Sequence, residues 1–315
     1  IFLAKWLPFC DTVMEEYEDR LVEEVAIALD RGLVEMKWRL KIQTKRRLQT
    51  DVLALSTGIR AVVMIDYGGM MPQLLYNVRS LIGFCKQESL AFNCLKVMVI
   101  EDMLYLVNSV ALAQFVEHSL ESETVLHFVN IEHDPPQMLT TAEYFPLKDD
   151  FIKIQKLFSS VFLNGDTCNR LAANAAASKP LEDSSFTSSA SDFIDFSRCL
   201  HDTEITIPTL NGWLLGYPVV YLFSKMKIEQ AIHNLSAKFV CIFQIIVHRS
   251  STDQASEAEE LLSFSVPYEL SLQGRREPWA EIFFTHINEK WAKCKSVWKS
   301  LQMEVKEGYP QVIVL

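Results

Sequence analysis

The chain has 315 residues, 49% hydrophobic and 22% charged, with a formal net charge of −10 at pH 7. A length of this order fits one large domain or two modest ones and buries roughly three-quarters of the unfolded surface, without disulfide or metal staples. An acidic surface excludes a general nucleic-acid binder, which has to neutralise phosphates, and the longest apolar runs, 213–223 and 239–247, fall well short of the ~18 residues that cross a bilayer.

Thr12-Val13-Met14-Glu15 has the form of a capping box, and Met14, Leu21, Val25, Ala28 and Leu29 then recur near helical spacing. This predicts a helix over about 12–41. Its tail carries six basic residues and no acidic one: Lys37, Arg39, Lys41, Lys45, Arg46 and Arg47. Such a run reads either as a solvated helix end or as a nuclear-import or anionic-partner patch. Residues 1–50 are thus expected to form an N-terminal helix and basic segment ahead of a single α/β domain over 51–315.

From Ile59 onward short β-rich runs alternate with longer helical patterns, the sign of βαβ units and a parallel sheet. Strands are predicted at 61–65, 95–100 and 125–131, with a helix over 72–88 between the first two. After Ile100 the chain either turns at once through Glu101-Asp102 into a paired strand at 103–107 or continues as loop. The β-branched and aromatic content favours the hairpin. Helices follow at 109–119 and 149–162. The stretch 165–203 is rich in Ser, Ala, Asn and Asp and has little periodicity, so it is expected to be a mobile insertion. The remainder predicts a helix at 208–215, a break at Gly216-Tyr217-Pro218, and β-runs at 219–223, 238–247 and 262–268. A polar stretch at 249–260 separates the last two runs, and a long helix over 277–305 closes the chain. The expected fold class is α/β: a mixed, partly parallel sheet covered by helices, with an antiparallel C-terminal part and a long C-terminal helix.

Seven cysteines, at 10, 85, 94, 168, 199, 241 and 294, include no Cys-x-x-Cys and no His at zinc-ligand spacing. This is the usage of a reducing compartment. The apolar segment 1–10 lacks a basic n-region and a small-residue cleavage site. The expected location is the cytoplasm, with the nucleus as the alternative.

The dinucleotide, Walker, nucleophile-elbow, zincin and kinase signatures are all missing from the sequence. A positional argument survives their loss, because ligands of open α/β sheets sit beyond the carboxyl ends of the strands. Those ends carry Asp66-Tyr67-Gly68-Gly69, Glu101-Asp102 and Glu132-His133-Asp134. If the three strands are parallel neighbours, Asp66, Asp102, Glu132 and Asp134 converge on one edge and could hold a divalent metal such as Mg²⁺ through oxygen ligands. The candidate catalytic residues are then Asp66, Tyr67, Asp102 and His133, with Tyr67 or His133 moving protons. Gly68 and Gly69 would let the backbone approach a cofactor. The competing reading is that all of these are ordinary turn residues and caps. Leu210 to Pro218, with Gly212 and Gly216 four apart, reads as a tight buried junction or as a pocket wall, and Pro267 marks a strand end.

Four separated blocks, in order, are Asp66-Tyr67-Gly68; Val99-Ile100-Glu101-Asp102 with Leu106-Val107-Asn108; Leu214-Leu215-Gly216-Tyr217-Pro218-Val219-Val220-Tyr221; and Phe264-Ser265-Val266-Pro267. Together they resemble the uncharacterised chromosome 1 open reading frame 74 protein family. The resemblance spans about 51–268. It implies a domain of unknown function and therefore no activity, cofactor or site residue. Two function classes remain: a non-enzymatic interaction module with a protein partner, apart from membranes and nucleic acids, and a metal-dependent hydrolase or phosphotransfer-like enzyme using the strand-end carboxylates.

Overall fold

The computed structural model describes residues 7–121, 126–163, 192–249 and 258–310, and for 7–19, 121 and 141–146 the backbone alone. Its described residues divide into two units, one drawn from 1–59, 67–93 and 240–308, the other from 60–66, 94–239 and 309–315. The fold class is α/β, with sheets partly parallel and partly antiparallel.

The first unit opens with two helices in place of the one predicted, α1 (Leu7–Glu35) and α2 (Ile42–Ser56). Lys37 adopts φ 55°, Trp38 N–H donates to Leu33 O at 3.0 Å and Lys37 N–H to Val34 O at 3.1 Å. That pair of bonds around a left-handed residue is a Schellman stop, which helical periodicity does not reveal when a lysine occupies the glycine position. Helix α3 (Gln73–Glu88) packs on α1 at Gly32, where a Cβ would stand 2.6 Å from the Leu81 side chain.

The rest of this unit is an antiparallel sheet of β8 (Val240–Arg249), β9 (Ala258–Pro267) and β10 (Trp298–Gly308), in the order β10-β8-β9. Helix α8 (Pro278–Trp291) covers one face: Phe243 and Trp279 rings stand 4.9 Å apart, and those of Phe264 and Phe283 5.4 Å. The expected helix over 277–305 is therefore corrected. It ends at Trp291, because Leu301, Met303 and Val305 alternate with Gln302, Glu304 and Lys306 at the period of a strand. Of the predicted polar stretch at 249–260, Arg249 and residues 258–260 lie in β8 and β9.

Half of the basic run turns inward. Glu259 accepts from Arg249 Nε at 2.7 Å, Arg46 Nε at 2.9 Å and Thr50 Oγ1 at 2.6 Å. Arg47 reaches Glu260 O at 2.8 Å and Asp51 at 3.2 Å, and Tyr67 donates to the same Asp51 oxygen at 2.6 Å. Lys45 pairs with Asp30 at 2.8 Å.

In the second unit, β1 (Val62–Met64), β2 (Leu95–Ile100), β3 (Met103–Asn108) and β6 (Phe193–Asp195) form a sheet in the order β1-β3-β2-β6. The hairpin reading holds: Ile100 pairs with Met103 across Glu101-Asp102, and Glu101 takes φ 53°. The remaining strands, β4 (His127–Asn130), β5 (Gln137–Met138) and β7 (Val219–Leu222), form a separate sheet in the order β5-β4-β7, with β4 and β7 parallel. The three predicted strands are thus not parallel neighbours. The two-residue turn pairs β2 back onto β3, β1 joins β3 antiparallel, and β4 lies in the other sheet.

Helices α4 (Ser109–Glu121), α5 (Thr141–Phe162), α6 (Ile207–Leu214) and α7 (Ile228–Ser236) complete this unit. Trp213 is its fully buried centre, with the rings of Phe115, Phe151 and Phe158 at 5.5 to 5.6 Å. Gly212 makes the passage tight there, since a Cβ would stand 3.0 Å from the Val220 side chain of β7 and crowd it. Of the predicted insertion, 165–191 lie outside the described residues, whereas β6 pairs parallel with β2 and Phe196 and Leu200 are buried.

Glu259 and Arg249 are both mostly buried, at 7% and 16% side-chain exposure. Glu259→Ala leaves Arg249, Arg46 and Thr50 facing an uncompensated gap, so urea denaturation is expected to show a loss of about 3–5 kcal/mol. A loss below about 1 kcal/mol, the value of a surface pair, contradicts this assignment.

Candidate ligand site at the carboxyl ends of β4 and β7

β4 and β7 run in parallel register from His127↔Val219 to Asn130↔Leu222, so both chains leave the sheet at the same end. A cavity of about 450 Å³ opens there, a size that suits a small molecule. Its apolar side is built by Leu139, Leu147, Leu222 and Phe223, and its polar side by Asn130, Glu132, His133, Gln137, Glu204 and Ser224.

The strand ladder barely continues past Asn130, where Ile131 N–H reaches Leu222 O at 3.3 Å. Side chains take over from there. Glu132 Oε1 accepts Ser224 N–H at 2.6 Å and Oε2 accepts the Lys227 ammonium at 2.8 Å. Asn130 Oδ1 accepts Glu132 N–H at 2.8 Å, and Asn234 Nδ2 donates to the carbonyls of Ile131 and Glu132 at 3.0 and 2.9 Å. The loop after β4 is therefore tied to the loop after β7 and to α7 at both faces of its backbone. Burial opposes ionisation of Glu132, but Lys227, Ser224 N–H and His133 outweigh it and hold the carboxyl below its ordinary value of 4.5.

The remaining polar groups are less engaged. His133, Gln137 and Glu204 are exposed at the rim, and Glu204 is positioned through its backbone N–H, which donates to Asp150 Oδ2 at 3.0 Å. Asp134 is exposed and paired with Lys238. The arrangement brings a carboxylate, an imidazole and amides together with apolar side chains around one cavity.

The other expected site residues lie elsewhere. Asp66 follows β1, and the β1–β3 register carried on through Ile65 N–H to Leu104 O (2.8 Å) sets it opposite Met103, at the same end of the first sheet as the Glu101-Asp102 turn. Asp66 and Asp102 are both exposed there. Tyr67 belongs to the other unit and binds Asp51. Gly68 has φ 86° and its carbonyl accepts Trp38 Nε1 at 3.1 Å, while a Cβ on it would meet that ring at the same distance, so packing accounts for this glycine. Gly69 beside it is exposed. The four metal candidates thus divide between two sheets, and among the described residues no group of three or more His, Cys, Asp or Glu side chains is placed to hold a metal ion. Several contributors were not singled out in the sequence: Asn130, Gln137, Leu139, Leu147, Glu204, Ser224 and Lys227. Ser224 was within reach of the positional argument, since it follows the β-run at 219–223.

Two small mixed sheets, one antiparallel sheet and a cavity at parallel strand ends define the α/β architecture. The chain matches the family described as Domain of unknown function (DUF4504) over residues 30–315 and belongs to it. No curated protein and no solved structure matches. All four blocks of the resemblance fall inside that span. Among the described residues no helix is long and apolar enough to cross a membrane.

Because the folded carboxyl of Glu132 ionises below its ordinary value, its contribution is full at neutral pH and is lost as the pH falls through the folded value, beneath 4.5. Glu132→Gln is therefore expected to be less stable than the parent in thermal unfolding at neutral pH, with the difference closing under acid. A difference that stays constant with pH contradicts the ionic clasp.

Proposed function

We propose that the protein is a non-enzymatic binding protein and that its ligand is a small amine with an apolar body, held in the pocket beyond β4 and β7. The observation that carries this reading is the cavity itself, which lies where two parallel strands end and sets the Glu204 carboxylate and the Gln137 amide over Leu139, Leu147 and Phe223. Binding is favoured over turnover because both Glu132 oxygens are engaged with Ser224 and Lys227, which leaves that carboxylate a structural part and not a general base. An Mg²⁺-dependent hydrolase or phosphotransfer enzyme would draw on Asp66, Asp102, Glu132 and Asp134 around one ion, and their division between two sheets counts against it.

Within the DUF4504 family we assign the chain to the chromosome 1 open reading frame 74 group, on its four sequence blocks. We assign it to the cytoplasm, with the nucleus as the alternative, on its cysteine usage. The free thiols of Cys85, Cys94, Cys199, Cys241 and Cys294 support that location.

The reading is tested by thermal unfolding of the full chain with 2-phenylethylamine, phenylacetate and Mg²⁺ as separate probes. The amine is expected to raise the melting temperature saturably, by the equivalent of ~2.7 kcal/mol at a hundredfold excess over Kd. Glu204→Gln should weaken the shift, and Leu147→Trp, which fills the cavity, should abolish it. A shift with phenylacetate or Mg²⁺ in place of the amine, an undiminished shift in Leu147→Trp, or no shift at all overturns it.

A further inference from the structure

The second feature of interest is the outer edge of β10, which terminates its sheet. Pro267 has no N–H and faces Val240, so that position is a non-hydrogen-bonded pair of β8 with β9. Alternation then turns Val240, Ile242, Gln244 and Ile246 toward β10, and their partners Gly308, Lys306, Glu304 and Gln302 toward β8. The N–H and C=O groups of Leu301, Met303, Val305 and Glu307 consequently face outward. The Arg275 guanidinium confirms this direction by approaching Met303 O at 3.5 Å. A groove of about 1140 Å³ runs beside these groups, with Phe284 of α8, Leu301 and Val305 as its apolar surface and Arg275 and Arg276 at its side.

The charges in the groove are unevenly matched. Lys306 is paired with Glu304 at 3.2 Å, and Glu281 is the remaining carboxylate. Arg276 makes no side-chain hydrogen bond or ion pair among the described residues, and it is exposed in a chain whose net charge is −10. We propose that this edge takes up an extended segment of a partner protein as a further strand, with apolar side chains on Phe284, Leu301 and Val305 and acidic ones at Arg275 and Arg276. Outward amides supply the main-chain bonds and the groove supplies the side-chain selection, the two components of strand addition. A second copy of β10 fits less well, because a two-fold axis there would bring both copies' Arg275 and Arg276 to one seam.

The test is fluorescence anisotropy with a short labelled peptide of alternating Val and Glu, beside one of alternating Val and Lys, and light scattering of the protein alone. The acidic peptide is expected to bind saturably and the basic one not. Reversing Arg275→Glu and Arg276→Glu together should weaken binding about tenfold or more. Val305→Pro removes an outward N–H and leaves the ladder to β8 complete, so a folded variant should lose binding. Should that variant not fold, amide shifts of the parent decide: titration must move Leu301, Met303 and Val305. Equal binding of the basic peptide, no binding of the acidic one, unmoved edge amides, or a parent dimer dissolved by Val305→Pro overturns the proposal, the last in favour of a second copy.

Discussion

The pocket depends on one carboxylate. The ladder between β4 and β7 has its last paired residues at Asn130 and Leu222, and the two chains would be free to diverge at the point where the cavity begins. Glu132 holds them, with one oxygen on Ser224 N–H and the other on Lys227. A backbone N–H bound to a carboxylate is a charge-assisted bond, stronger and more directional than its neutral equivalent. Lys227 is more than half exposed, so its ion pair adds orientation more than stability. Asn234 completes the arrangement by donating to the Ile131 and Glu132 carbonyls, so that these acceptors are matched past the end of the ladder. The rim groups His133, Gln137 and Glu204 are left exposed at the cavity.

The other unit is organised by a different electrostatic device. Arg46 and Arg47 bind Glu259, Asp51 and the Glu260 carbonyl, and Arg249 adds the end of β8 to the same cluster. Arg47 meets the Glu260 carbonyl, which the alternation of the ladder turns away from β8, so α2 shields part of the β9 edge. Along 301–307, the β10 edge meets the longer approach of Arg275 to Met303 O among the described residues. That asymmetry is the physical basis for assigning partner binding to β10.

Much of the local structure was legible in the residues. Glu101-Asp102 between two β-branched runs marked the hairpin, and Gly212 and Gly216 marked the tight passage from α6 into β7. What was not legible was long-range. The runs at 61–65, 95–100 and 125–131 are alike in composition, and nothing local says that the third belongs to a different sheet. Hence Glu132 and His133 do follow a strand of a parallel pair, while Asp66 and Asp102, expected beside them, lie at the end of the other sheet. The C-terminal error has a local cause: Trp298, Leu301 and Val305 satisfy helical spacing, yet Leu301, Met303 and Val305 satisfy strand spacing equally, and pairing with β8 decides between them. Arg46 looked like part of a solvated run because its acidic partner Glu259 lies some two hundred residues away in sequence, whereas the carboxylate that binds Arg47, Asp51, follows one helical turn later, just past the run.

The central claim is that a small amine occupies the cavity beyond β4 and β7, and its most direct measurement is a map of backbone amide shifts during titration with 2-phenylethylamine. The account predicts saturable shifts concentrated at Asn130, Glu132, His133, Gln137 and Ser224, with a single dissociation constant. Shifts confined to residues of α2, β8, β9 or β10, or none at saturating amine, would contradict it.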